Sequence, residues 1–319
     1  MKKGKFAGEE EAGTRYWISA PYFCDFCFMF YDIIVVYING GVKMKIKLLG
    51  TAAFEGIPAL FCRCDICQES RKLGGKNIRM RSSALVDNKI GLDFTNDTLA
   101  HIHNYNLDFS VLEHLFIGHS HSDHFNYYDL EAKLKWYTNE GNPVLNVYAN
   151  KVSIEMLSSY LEKFGDISPY MKLHVLEPFT QTKVEDYTVT ALPATHITDF
   201  PEEKALVYVI ERNGKRIFYG LDSGWYYDET WEYLKTIHLD CMVLDCTNGF
   251  AEGGTSNHMS FKENVNVVKK LTEAGSLNAS SKIVSTHFSH NGKVVYDRHC
   301  EEFAGQGIIM SYDGIEIEV

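Results

Sequence analysis

Three imidazoles and a carboxylate fall within six residues, at His119, His121, Asp123 and His124. Neutral imidazole and carboxylate oxygen are ligands that borderline divalent metals such as zinc, manganese and iron accept. The i, i+2 spacing of His119 and His121 lets both face one ion, while Asp123 and His124 can turn towards a second. A solvated loop rarely concentrates histidine in this way. A short apolar run, 115–117, reads as a buried strand leading straight into the cluster. The arrangement recurs along the chain. His196 follows a strand ending at Pro193, Asp222 follows 218–221, and His287 follows 283–286. Side chains projecting from strand ends onto one rim can converge, which a metal site requires.

The elements that must position them alternate between strand-like and helix-like patterns. Strands are expected over 45–49, 83–86, 90–94, 144–148, 183–192 and 242–244, and helices over 97–106, 128–137, 152–164, 228–235 and 261–272. The stretches 205–212 and 215–221 form a hairpin across Asn213-Gly214, a favoured tight-turn pair. A second hairpin is expected across Asp313-Gly314 at the end of the chain. Mixed elements of this kind predict layers of helix over sheet.

Composition narrows the function. The 319 residues are 45% hydrophobic, enough for one large domain or two small ones. A formal net charge of -11 argues against a broad electrostatic footprint for DNA or RNA, which needs clustered Lys and Arg. A small phosphorylated substrate is still allowed, because a few local cations and a metal hold it. Residues 1–43 do not resemble the rest. They carry Glu9, Glu10 and Glu11, and an apolar run interrupted by Asp25 and Asp32. That run fails the criteria for a signal peptide and for a membrane helix. The segment reads as a non-native or disordered extension, with the domain spanning 44–319, and no membrane partner is expected.

The H-x-H-x-D-H pattern after a short strand resembles the metallo-β-lactamase superfamily signature, over roughly residues 44–319. The resemblance implies an α/β (α+β) fold, an αββα sandwich of two mixed sheets flanked by helices. It also implies two divalent metals, Zn or Mn. One would be held by His119, His121 and His196 and the other by Asp123, His124 and His287, with Asp222 bridging. A hydroxide shared between the two ions would be the nucleophile, and Asp123 counts among the catalytic residues as well as the ligands.

Cys62, Cys64 and Cys67 stand within six residues. Three thiolates bind one tetrahedral zinc and leave a fourth position. His290, three residues past His287, is the obvious candidate for that structural zinc. Thiol ligands rather than disulfides fit a reducing, cytoplasmic setting. The cysteine motif with T-H-x-S-H resembles the phosphoribosyl 1,2-cyclic phosphate phosphodiesterases of phosphonate metabolism. The coenzyme-PQQ biosynthesis B proteins share the cysteines. The resemblance implies a phosphodiesterase acting on a small cyclic or diester phosphate, with carboxylic ester, lactone or thioester hydrolysis and a tRNA-processing-like nuclease as alternatives. It places His258, just before a helix N-terminus, near the scissile phosphate as proton donor or charge stabiliser. A homodimer is compatible with the reading. His101 and His103, in a helix where i, i+2 side chains diverge, are expected on a solvent face. Arg79 and Arg81 are weak candidates for holding a terminal phosphate.

Overall fold

The computed structural model describes residues 43–139, 141–251 and 257–319, all within a unit spanning 41–319. The expected extension, 1–43, lies outside the described residues except for Lys43. Fourteen strands among the described residues build two seven-stranded sheets.

The first sheet contains β1 (Lys45–Gly50), β2 (Ser83–Val86), β3 (Ile90–Leu92), β4 (His114–Phe116), β5 (Leu145–Ala149) and β6 (Met171–Val175), with β14 (Glu316–Glu318) on its β1 edge. The second contains β7 (Gln181–Val184), β8 (Tyr187–Pro193), β9 (Leu206–Arg212), β10 (Lys215–Gly220), β11 (Cys241–Asp245), β12 (Lys282–Thr286) and β13 (Ile308–Met310), in that spatial order. Six helices accompany them: α1 (Asp65–Leu73), α2 (Thr98–Tyr105), α3 (Lys151–Leu161), α4 (Asp228–Lys235), α5 (Phe261–Glu273) and α6 (Tyr296–Gly305). None of the described helices is long and apolar enough to cross a membrane.

Strand pleating explains the layers. Successive side chains point to opposite faces, so Leu115 and Ile117 join one apolar cluster with Ile154, Leu157 and Leu161 of α3, while Phe116 turns to the other face. Phe116 there meets Tyr208 of the second sheet edge-on, with ring centroids 5.5 Å apart, in a central core built from both sheets. The outer face of the second sheet buries Met242, Leu244 and Ile283 against Trp231 of α4, Leu271 of α5 and Phe303 of α6. Strands covered on both faces read as continuous apolar runs, as β4 and β11 do. The result is the expected αββα sandwich.

Four sequence expectations need correction. Residues 128–137 form a 3-10 turn over Asp129–Lys133 rather than an α-helix. The single strand expected over 183–192 is a hairpin, β7 and β8, turning at Glu185, whose φ of 50° is left-handed. The terminal hairpin across Asp313-Gly314 does not form. Instead β13 pairs with β12 and β14 with β1, so the chain passes from one sheet to the other there. His101 lies fully buried in α2 with no hydrogen-bond partner on either ring nitrogen, and burial lowers it to about 4.

Candidate metal centre

Parallel pairing brings the chemistry to one rim. β3 runs parallel to β4, and β10, β11 and β12 run parallel to one another, so their C-terminal ends align. In open α/β sheets ligands bind beyond those ends. Asp93 follows β3, His119 follows β4, Asp222 follows β10, Asp245 ends β11 and His287 follows β12. β8 reaches the same rim because it is antiparallel to β9, which is antiparallel to β10. It delivers His196. Asp93, Asp222 and His287 have φ of 61°, 46° and 60°. Such left-handed backbone is unfavourable for residues with a Cβ and clusters at functional sites.

The seven expected ligands converge. Asp222 Oδ2 lies 2.9 Å from His124 Nε2, 3.3 Å from His119 Nε2 and 3.6 Å from His196 Nε2. Its other oxygen sits 3.0 Å from His287 Nδ1 without hydrogen-bond geometry. His121 Nδ1 is 2.9 Å from His119 Nε2 and 3.0 Å from His196 Nε2, and His124 Nε2 is 3.2 Å from His287 Nε2. Asp123 Oδ2 lies 3.5 Å from His124 Nε2 and 3.8 Å from His287 Nε2. The atoms form two groups, His119, His121, His196 with Asp222, and Asp123, His124, His287 with Asp222.

This donor set fits divalent cations. Imidazole nitrogens aimed at one another repel unless a proton or a cation lies between them. The buried, unpartnered Asp222 oxygen is likewise a lone pair in search of one. Burial works against the charge on Asp222, yet His287, His124 and His196 hold it well below the usual carboxylate range. His119 is pushed well below its ordinary value by burial and by the neighbouring imidazoles. Burial opposes charging of His124 as well, but Asp222, Asp93 and Asp123 together lift it well above the ordinary value.

The supporting residues were missed in the sequence. Asp93 Oδ2 accepts from His124 Nδ1 at 2.9 Å and from the Tyr219 hydroxyl at 3.2 Å, while Oδ1 accepts from the Gly118 amide at 2.9 Å. With its proton on Nδ1, His124 points the Nε2 lone pair into the cluster. A Cβ on Gly118 would stand 3.2 Å from Leu206 O and 3.4 Å from Asp93 Oδ1, so this close approach favours glycine. Glu203 accepts from the Ser120 amide at 2.8 Å and from Asn150, the N-cap of α3, at 2.7 Å, tying the histidine loop to the scaffold. Asp245 Oδ2 accepts from His258 Nδ1 at 2.9 Å, and its Oδ1 accepts from the amides of Thr247 and Met259. The detectable signal was a carboxylate closing a buried apolar strand, in Leu92-Asp93 and Leu244-Asp245.

His258 stands where expected, two residues before Ser260. That serine forms a capping box with Glu263 at the start of α5. Its ring lies 4.9 Å from that of His196, and it lines the cavity above the metal centre. Burial opposes its charge, but Asp245 and Asp222 raise it to about 9. Together with Asp222, Asp245 and His287 it makes a third overlapping group of donors.

The cysteines also come together. Cys62, Cys64, Cys67 and His290 present one ligand atom each within 4.8 Å, and Cys64 Sγ is 3.3 Å from His290 Nδ1. Cys67 is buried in the first turn of α1 and burial pushes its thiol up to about 11. A cation would reverse that, since a coordinating thiol is deprotonated outright. The loop after β1 is thereby joined to the loop after β12, and Ser289 donates to Glu55 at 2.5 Å beside it. Arg79 and Arg81 are not available to a ligand. Arg79 is buried and donates to Thr51 Oγ1 and Ser311 O, while Arg81 pairs with Asp97 at 3.1 Å and donates to Phe54 O.

A family model described as a beta-lactamase superfamily domain matches residues 90–288, more than half of the chain. No curated protein matches by sequence. Among solved structures, the chain is similar to a new diphosphatase from the PhnP family, with 20% identity over 87% of this chain and 97% of that one and a TM-score of 0.68. It is similar to the metallo-β-lactamase fold protein YhfI from Bacillus subtilis, with 18% identity, 86% and 99% coverage and a TM-score of 0.61. It is also similar to Zn2+-bound PqqB from Methylobacterium extorquens, with 15% identity, 86% and 100% coverage and a TM-score of 0.66. The rim of histidines and aspartates thus sits on a known scaffold: the chain belongs to the beta-lactamase superfamily domain family and has the metallo-β-lactamase fold.

Proposed function

We propose that the protein is a metal-dependent phosphodiesterase acting on a small cyclic or diester phosphate. The observation that carries this is the convergence of both histidine groups on one buried carboxylate, Asp222. In this reading His119, His121 and His196 would hold one divalent ion and Asp123, His124 and His287 a second, with Asp222 shared between the two groups. Two such ions, Zn or Mn, would supply an activated water and neutralise charge on the phosphate oxygens. Cys62, Cys64, Cys67 and His290 would hold a structural zinc, which would fix the two loops beside the site.

The chain's own residues then do three things. Asp93 orients His124 through its Nδ1 proton, and Thr247, whose hydroxyl lies 2.8 Å from His287 Nδ1, orients that ring. Asp245 occupies His258 Nδ1 and leaves Nε2 facing the cavity. As water oxygen adds to phosphorus, releasing its proton to solvent, one ester P–O bond breaks and His258 Nε2 gives its proton to the departing oxygen. The placement of His258 over the centre supports phosphate esters over carbon esters, as does the similarity to a PhnP-family diphosphatase.

The test is hydrolysis of bis(p-nitrophenyl) phosphate, cyclic ribose phosphates, lactones, thioesters and precursor tRNA by wild type and Asp222→Ala. Turnover of the phosphodiesters alone is expected, lost in the variant. Lactone or thioester hydrolysis without phosphodiester hydrolysis would overturn it.

A further inference from the structure

The cavity above the metal centre measures about 720 Å³, and among the described residues no lysine or arginine lines it. The two arginines that the sequence offered for a distal phosphate are spent on Thr51, Ser311 and Asp97. Acidic groups stand in their place. Glu55 and the exposed Asp199 line the cavity, in a chain of net charge -11. Beyond the metal centre and His258, a second anionic group on a substrate would find carboxylates there and, among the described residues, no lysine or arginine to pair with it.

Aromatic rings share the wall with small and polar side chains such as Asn96, Ser122 and Asn126. Phe54, Tyr128 and Phe200 line the cavity, yet they stay 56%, 56% and 36% exposed. Three large rings left open around one mouth mark a surface kept for a ligand. Phe54 and Tyr128 are also held in place. The Arg81 guanidinium lies 5.6 Å from the Phe54 ring centroid, and Tyr128 packs on Tyr127 with centroids 4.3 Å apart and hydroxyls 2.9 Å apart. Preset rings offer stacking at little ordering cost.

We propose that this cavity takes a phosphodiester bearing a flat, uncharged ring, aryl or nucleobase, and selects against substrates that carry a second phosphate or carboxylate. Phe54 and Phe200 are the specificity-determining residues, stacking on the ring while the metal centre takes the single reacting phosphate. This rests on the phosphodiesterase reading for its chemistry, but its test reads binding.

The experiment uses the metal-loaded full chain and titration calorimetry with methylphosphonate, phenylphosphonate and 1,4-benzenediphosphonate. Phenylphosphonate is expected to bind on the order of tenfold more tightly than methylphosphonate, the scale of one stacked ring. The diphosphonate is expected to bind no more tightly than phenylphosphonate. Phe54→Ala and Phe200→Ala, both at exposed positions, are expected to remove the phenyl advantage while leaving methylphosphonate binding and metal content unchanged. Equal binding of the phenyl and methyl compounds, or tighter binding of the diphosphonate, would overturn the proposal. If the phenyl preference holds but no phosphodiester is hydrolysed, the catalytic reading falls and the ligand class stands. If diesters are hydrolysed with a preference for an added phosphate, the ligand class falls alone.

Discussion

Asp93 offers a sharp test of how the fold prepares its metal ligands, because it touches no metal itself. The carboxylate is buried, at 4% exposure, and divides its oxygens between the Gly118 amide on one side and His124 Nδ1 with the Tyr219 hydroxyl on the other. Asp93→Asn keeps the shape. Its amide oxygen accepts from Gly118, which turns the NH2 towards His124 Nδ1. A neutral imidazole has one donor and one acceptor nitrogen. Nδ1 must then accept, the proton moves to Nε2, and the lone pair that faces Asp123, His287 and Asp222 is lost. Removing such an orienting partner typically costs about 10–100-fold in metal affinity, or about 1.4–2.8 kcal/mol. The assay is competition with a chromophoric chelator, read as the affinity of the weaker active-site ion, alongside the thermal midpoint of the metal-free protein. Affinity within about twofold of wild type, with the fold intact, would refute the claim that Asp93 sets the tautomer of His124.

Other outcomes follow from the same geometry. His258→Asn is expected to lower kcat about 10²–10⁴-fold with full metal content retained, as for a lost proton donor; a matching loss of metal would make His258 a ligand instead. Cys64→Ser is expected to release one zinc equivalent per chain and lower the melting temperature by several degrees, because three ligands remain where tetrahedral zinc needs four; an unchanged zinc count by elemental analysis would contradict the site. Asp313 is buried beside Thr51 and the Met80 amide, and burial raises its carboxyl from 3.8 to about 7. A raised folded-state value means its stabilising contribution is full below about 4 and is lost as pH rises through about 7. Asp313→Asn should therefore flatten the fall in unfolding midpoint between those values relative to wild type, and parallel curves would rule this out.

Much of the centre was legible because its ligands are local events. Each ends a strand whose apolar run can be read without knowing its neighbours, and His119 to His124 sit in one loop. The carboxylates behind them were invisible. Asp93 and Asp245 are single acids whose partners, His124 and His258, lie 31 and 13 residues away. The terminal hairpin was misread for a related reason. Asp313-Gly314 has the local chemistry of a tight turn, but β14 pairs with β1, some 270 residues distant by register Lys45 to Glu318, and β13 with β12. The first helix also escaped notice. α1 has only Ile66, Cys67 and Leu73 as apolar residues and buries Cys67 and Ser70, so the short segment read as polar despite its amphipathic spacing. His101 was placed outside because its helix was read without the strand it packs on.

The central claim is that Asp222 joins two metal ions in one centre, with a third ion held by the cysteines. The most direct measurement is metal content per chain, by elemental analysis after saturation and removal of excess, for wild type and Asp222→Ala. About three equivalents are expected in wild type, two of them about 3.5–4 Å apart by anomalous scattering, with loss of at least one from the centre in the variant while the cysteine-held zinc stays. One equivalent in saturated wild type, or an unchanged count in Asp222→Ala, would contradict it.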